Sequence, residues 1–186
     1  MATPDSIALS ASAEAEGLES VLVGGNAVNL HAYLRTTFDV DLLVRESESE
    51  RWLSFFKQHG YTLVHRTGNF IRLCFADDPT AALPVDLMLA DAQTFSKIRG
   101  ESRRCDIGKG LNLLIPSPIH LIAMKLHALR SPERFKAGDD LQDVKHLIKA
   151  AKIDTFSSEF TEIVERYATD TIRARILQEL GEESGS

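Results

Sequence analysis

With 186 residues, 44% of them apolar and 26% charged, the chain has the composition of an ordinary soluble protein and the length of one domain, or of one domain with a small appended helical region, able to bury a core. A net charge of −6 argues against a protein that coats nucleic acid over its whole surface. No apolar run approaches the ~20 residues of a membrane span, and MATPDSIALSASAEAEGLES lacks the basic start and apolar core of a secretory signal, so no membrane association and a cytoplasmic location are expected.

Residues 6–18 carry a thin apolar stripe (Ile7, Ala11, Ala15, Leu18) that predicts a helix, and 20–23 read as a short buried strand broken by Gly24-Gly25. Helical spacing follows over 26–34. Alternation over 38–44 then predicts a second strand, with Phe38, Val40 and Leu42 on one face and Asp39 and Asp41 on the other. ESERWLSFFKQH predicts a helix with Trp52, Phe55 and Phe56 inward, ended by Gly60. YTLVHR and FIRLCFA around TGN form a hairpin signal, and LPVDLMLA is a further extended run, so strands are expected near 61–66, 70–76 and 83–89.

Cys74 and Cys105 are isolated and read as plain thiols. The segment KIRGESRRCDIGK sets Lys97, Arg99, Arg103, Arg104 and Lys109 against Glu101 and Asp106, a local excess of +3. It reads as a solvated loop or as a patch for RNA phosphates.

From Ser117 onward the pattern is helical. Ser117-Pro118 is an N-cap followed by proline at the first helical position, and it leads into IHLIAMKLHALR. Asp139 with Gln142 forms a capping-box arrangement for a second helix, and a third is expected over 156–181. The expected fold class is α+β: a small mixed sheet flanked by helices (residues 1–115), followed by a helical region (116–182) packed on it.

Two carboxylates on one strand face, Asp39 and Asp41, repel each other unless a cation lies between them. All-oxygen ligation suits a hard divalent ion such as Mg²⁺ or Mn²⁺. An isolated D-x-D is a weak signal, which a solvent-facing edge strand explains, and Gly24-Gly25 alone is a weak one, which a positive-φ turn explains. Taken together the motif is more specific: a strand, Gly-Gly opening a helix, thirteen residues, then Asp-apolar-Asp on a second strand.

This pattern resembles nucleotidyltransferases of the polymerase-β type. Within them GG-N-A-(x3)-H-(x3)-R-T-T-F-D-V-D, with His31, Arg35 and Thr37 ahead of Asp39, is most similar to the small bacterial AbiEii-like proteins, toxins of abortive-infection systems. Ala32 departs from the glycine usual there.

The resemblance implies a nucleotidyltransferase fold and Mg²⁺-dependent transfer of a nucleoside monophosphate from an NTP to a hydroxyl on RNA (a tRNA 3′ end), a protein or a small molecule. It implies Asp39, Asp41 and Asp86, the last within Val85-Asp86-Leu87, as metal ligands and catalytic carboxylates. Gly24 and Gly25 would bind nucleotide phosphates.

Asp86 also stands out unaided: an acid in an apolar strand calls for a nearby cation if it is buried, and needs none if it sits at a strand edge or turn. Lys125 lies on the apolar stripe of its helix and either snorkels to water or meets an anion; the resemblance implies contact with nucleotide phosphate. In RFKAGDDLQDVKHLI, Asp140 and Asp143 fall on the family's two acidic positions. Asp140 is either a first-turn acid favoured by the helix dipole or, as the resemblance implies, a catalytic residue that acts as base or orients Lys125, and Asp143 either a site residue or a solvated charge.

Two further readings stay open. One is a catalytically silent module that binds nucleotide or protein. The other is an interaction protein paired with an antitoxin.

Overall fold

The structure is a computed structural model that describes residues 5–108, 110–131 and 137–183. Lys109 and the start of RFKAGDD lie outside these. The described residues fall into two compact units, one comprising the chain up to Ala27 together with Arg35–Ser117, the other Val28–Leu34 and the chain from Pro118.

In the first unit, α1 (Ser6–Ser12) is capped by Asp5, whose carboxylate accepts from the Ala8 N–H at 3.1 Å. A 3-10 turn over Ala13–Glu16 ends at Gly17, so the expected helix over 6–18 is shorter and tightened. β1 (Ser20–Leu22) leads through Val23 into α2 (Gly24–His31), and β2 (Val40–Arg45) follows. Next come α3 (Ser49–Gln58), β3 (Tyr61–Arg66), β4 (Phe70–Phe75) and β5 (Val85–Ala90).

These strands form one sheet in the order β1-β2-β5-β4-β3. β2 and β5 run parallel and the other neighbours antiparallel, so the sheet is mixed. The fold is α+β, as the sequence predicts.

Hydrophobic spacing explains the packing. Trp52, Phe55 and Phe56 recur on one face of α3 and are buried, and Phe56 meets Tyr61, which in turn meets Phe75, edge to face. Tyr61 Oη and Ser6 Oγ are 2.7 Å apart, and Ser6 Oγ donates to the Leu83 carbonyl at 2.8 Å, which ties α1 to β3 and to the approach to β5.

Residues 97–109 are not a loop, as far as they are described. α4 (Ala92–Gly100) is capped by Asp91, and β6 (Arg103–Asp106) pairs with β7 (Asn112–Ile115) in a separate hairpin. The basic run is also partly neutralised: Arg99 pairs with Glu19 at 2.6 Å, and Arg104 pairs with Glu14.

In the second unit, α5 (Pro118–Leu129) and α6 (Ala137–Ala150) pack together. α6 begins before Asp139, which is an exposed first-turn residue and not the expected cap. The single helix expected over 156–181 is two, α7 (Ser158–Tyr167) and α8 (Asp170–Glu183). The chain turns extended at Ala168, and Thr169 Oγ1 accepts from the Ile172 N–H at 3.3 Å, which starts the new helix. No helix among the described residues is long and apolar enough to cross a membrane.

Candidate active site

The sheet register builds the site. Asp41 on β2 stands directly opposite Asp86 on β5, and Asp39, two residues before Asp41, adds a third carboxylate from just ahead of the strand. One carboxylate oxygen from each of the three lies within 4.8 Å of the others. Asp39 and Asp86 are buried and Asp41 is half-buried.

Around one Mg²⁺ at about 2.1 Å, oxygens are at most about 4.2 Å apart, so small side-chain rotations make this donor set fit a hard divalent ion. An all-carboxylate cluster disfavours softer metals that call for thiolate or imidazole.

Asp39 is held from outside the strand. Asn26 Nδ2 donates to its backbone carbonyl at 2.8 Å, and Thr37 Oγ1 donates to Asn26 Oδ1 at 3.1 Å. Because β2 starts only at Val40, Phe38 does not share the buried face of Val40 and Leu42; it is 72% exposed.

The glycines are sterically required. Gly24 opens α2 at φ +62°, and a β-carbon on it would lie 1.9 Å from Asp41 Oδ2. A β-carbon on Gly25 would meet Thr37 Cγ2 at 2.5 Å and Arg35 Nη2 at 2.8 Å. The Gly-Gly pair therefore lets the start of α2 pass directly under Asp41, Thr37 and Arg35.

Sequence reasoning missed Arg72. It faces Asp86 across the β4–β5 ladder, its Nε donates to Oδ1 at 2.8 Å and its Nη2 to Oδ2 at 2.6 Å. Nη2 is also 3.6 Å from Asp39 Oδ2. The Asp86 hydrogen bonds, joined by the charges of Asp86 and Asp39, push the already high pKa of Arg72 upward. The sequence left Asp86 either buried beside a cation or solvated at a strand edge; the strand register decides for the first and supplies the partner.

The second unit holds its own charged cluster. Lys125 is buried beside Leu121, Ile122 and Leu126 on α5, and its Nζ lies 2.7 Å from Asp140 Oδ1 and 2.8 Å from Asp143 Oδ2. The lysine meets anions and does not snorkel. Asp143, fully buried, is not a solvated charge: it also accepts from Tyr33 Oη at 2.9 Å, and the Tyr33 ring lies 3.9 Å from His146, tilted 32° to it.

No protein-family model matches the chain. No curated protein matches it by sequence. Solved structures do match. The structure of ANT(2'')-Ia in complex with adenylyl-2''-tobramycin aligns with a TM-score of 0.66 at 14% identity over 87% of this chain and 96% of its own. An antigenic nucleotidyltransferase-like protein from Paracoccidioides brasiliensis aligns with a TM-score of 0.59 at 18% identity, covering 97% and 89%. The lincosamide antibiotic adenylyltransferase LnuA, lincomycin-bound, aligns with a TM-score of 0.51 at 14% identity, covering 73% and 89%. The fold is that of nucleotidyltransferases, and it carries an acidic triad that could hold a metal ion.

Proposed function

We propose that the protein is a divalent-metal-dependent nucleotidyltransferase that moves a nucleoside monophosphate from an NTP to a hydroxyl acceptor. The observation that carries this reading is the convergence of Asp41 and Asp86, on adjacent parallel strands of this fold, with Asp39 just ahead of the first strand. Asp39 and Asp41 would hold Mg²⁺ or Mn²⁺, with Asp86 completing the set. When bound, the ion supplies positive charge that offsets the charge on the triphosphate as it reacts.

The chain's own residues account for the rest. Gly24 and Gly25 open a helix whose first N–H groups and dipole favour the β and γ phosphates, and the Arg35 guanidinium beside Gly25 adds a cation there. Asp86 aligns or deprotonates the acceptor hydroxyl. Lys125, oriented by Asp140 and Asp143, is assigned to nucleotide phosphate on the strength of the resemblance in its helix.

Two neighbours in this fold are described with antibiotics, adenylyl-2''-tobramycin and lincomycin, which supports a small molecule as the first acceptor class to try. The AbiEii-like motif supports RNA or protein acceptors and a toxin partnered by an antitoxin. The pairing of Arg99 and Arg104 with glutamates leaves less free charge for RNA phosphates. A second reading, a silent nucleotide-binding or protein-interaction module, is favoured by one observation: both oxygens of Asp86 are already bonded to Arg72.

The experiment follows label from each of the four NTPs, with Mg²⁺, onto tobramycin, lincomycin and tRNA, comparing the parent with Asp39→Asn/Asp41→Asn. The proposal requires transfer that the double variant loses at least about 100-fold, as expected when the charge-stabilising groups of a site are removed. Mg²⁺-dependent NTP binding without transfer favours the silent module; equal labelling by parent and variant overturns the site.

A further inference from the structure

Asp41, Asp86 and Arg72 form one row across three neighbouring strands, each opposite the next in the ladder. The row alternates in charge for a physical reason. Asp86 is 4% exposed, and a buried carboxylate without a counter-charge costs several kcal/mol. The Arg72 fork removes that cost before any ion arrives, by engaging both oxygens of Asp86 at 2.8 and 2.6 Å. Its Nη2 also reaches Asp39 Oδ2 at 3.6 Å, so one guanidinium leans on two of the three carboxylates.

The same contact opposes a divalent ion. Guanidinium and metal repel each other, and both draw on the Asp86 oxygens. The three carboxylates carry a charge of about −3, which Arg72 reduces to about −2, the charge that a single divalent ion neutralises.

We propose that Arg72 is the resident counter-cation of the Asp39–Asp41–Asp86 cluster and competes with a divalent ion for Asp86. Arg72 thereby stabilises the metal-free protein while holding down its affinity for free metal, and full ligation by Asp86 requires the arginine fork to let go. The inference rests on the reading of the triad as a metal cage.

Rival roles for Arg72 differ in sign. A residue that only ties β4 to β5 leaves metal affinity unchanged, and one that orients Asp86 toward the ion strengthens affinity, so its removal weakens binding.

The test titrates the full chain with Mn²⁺ alone, without nucleotide, by calorimetry. Arg72→Gln should bind Mn²⁺ roughly tenfold or more tightly than the parent, the scale expected on removing a unit charge a few ångströms from a divalent ion in a half-exposed site. Arg72→Lys, which keeps the charge, should stay within about threefold of the parent. The gain must vanish when Arg72→Gln is combined with Asp86→Asn. Unchanged or weaker binding by a folded Arg72→Gln overturns the proposal, and so does a gain that survives Asp86→Asn.

Should Arg72→Gln not fold, the parent gives the answer by NMR. The Arg72 Nε–H signal should be protected from exchange in chelator and lose that protection at saturating Mg²⁺; protection that persists overturns the proposal. Failure of the cage reading is a separate result: Asp39→Asn/Asp41→Asn would bind Mn²⁺ as the parent does.

Discussion

The carboxylate of Asp41 fills the space in which a side chain on Gly24 would begin. An ideal β-carbon there would stand 1.9 Å from Oδ2 and 2.5 Å from Cγ, and the backbone at Gly24 is left-handed, with φ +62°. The glycine is demanded twice, once by its own conformation and once by the carboxylate above it. Gly24→Ala should therefore cost about 1–2 kcal/mol in backbone strain and also push Asp41 off the cluster. We expect a lowered melting temperature together with at least a roughly tenfold loss of Mn²⁺ affinity, consistent with one misplaced ligand. A variant that melts lower yet binds Mn²⁺ normally would remove Asp41 from the ligand set.

Local patterns made much of this legible. Asp39 and Asp41 were picked out by the spacing from Gly24-Gly25 to Asp-apolar-Asp, and Asp86 by an acid inside PVDLMLA that fits the third carboxylate the resemblance implies; each signal alone was weak. Arg72 could not be, because its meaning lies in the pairing of β4 with β5, and FIRLCFA by itself reads only as one strand of a hairpin. Phe38 misled because alternation was extended two residues beyond the strand, into a segment held by Asn26 and Thr37. RRCD carries no apolar stripe, and three of its four residues are exposed, so β6 was hidden. The break between α7 and α8 has neither glycine nor proline to announce it. Asp140 and Asp143 were seen to share a helix face, but that the face meets Lys125 is decided by the packing of α5 on α6.

Lys125 Nζ lies between Asp140 and Asp143, 2.7 Å from Oδ1 of the first and 2.8 Å from Oδ2 of the second, and all three side chains are buried. Removing one partner of such a cluster takes counter-charge away from buried groups, and breaking a buried ion pair typically costs about 3–5 kcal/mol. Lys125→Met should thus destabilise the helical unit by about that much. Adding Asp140→Asn and Asp143→Asn to it should recover a large part of the loss. Denaturant unfolding followed by circular dichroism measures both, and a single variant as stable as the parent would contradict the burial argument. If Lys125 also binds nucleotide phosphate, the recovered triple variant should still fail to bind NTP in calorimetry.

Tyr33 supports the same cluster from another segment of that unit. Its hydroxyl donates to Asp143 at 2.9 Å, and its ring keeps His146 at 3.9 Å. Tyr33→Phe retains the ring contact and deletes only the donor, so the expected cost is that of a hydrogen bond to a charged group, about 1.5–3 kcal/mol. Combining Tyr33→Phe with Asp143→Asn should cost less than the sum of the two single changes, since they remove one interaction. Strict additivity in a double-mutant cycle would show that the bond contributes nothing.

Tyr61 gives the fold a measurable response to alkali. Its side chain is almost wholly buried against Phe56 and Phe75. Burial pushes the phenol pKa above its usual value of 10.0, and the bond to Ser6 pulls it back by a smaller amount. A raised folded-state pKa means that the unfolded chain gives up its proton first as the pH climbs. The stabilising contribution is therefore complete below about pH 10 and is lost as the pH rises from there through the folded-state value. Tyr61→Phe cannot ionise. It should be less stable than the parent near neutrality, by about 1 kcal/mol for the lost hydrogen bond, while Ser6 keeps its bond to the Leu83 carbonyl. Above about pH 10 the parent should lose stability faster, so that the gap between the two proteins narrows. Melting curves of both proteins across this range decide the matter: parallel pH profiles would mean that the phenol ionises as readily in the folded chain as in the unfolded one.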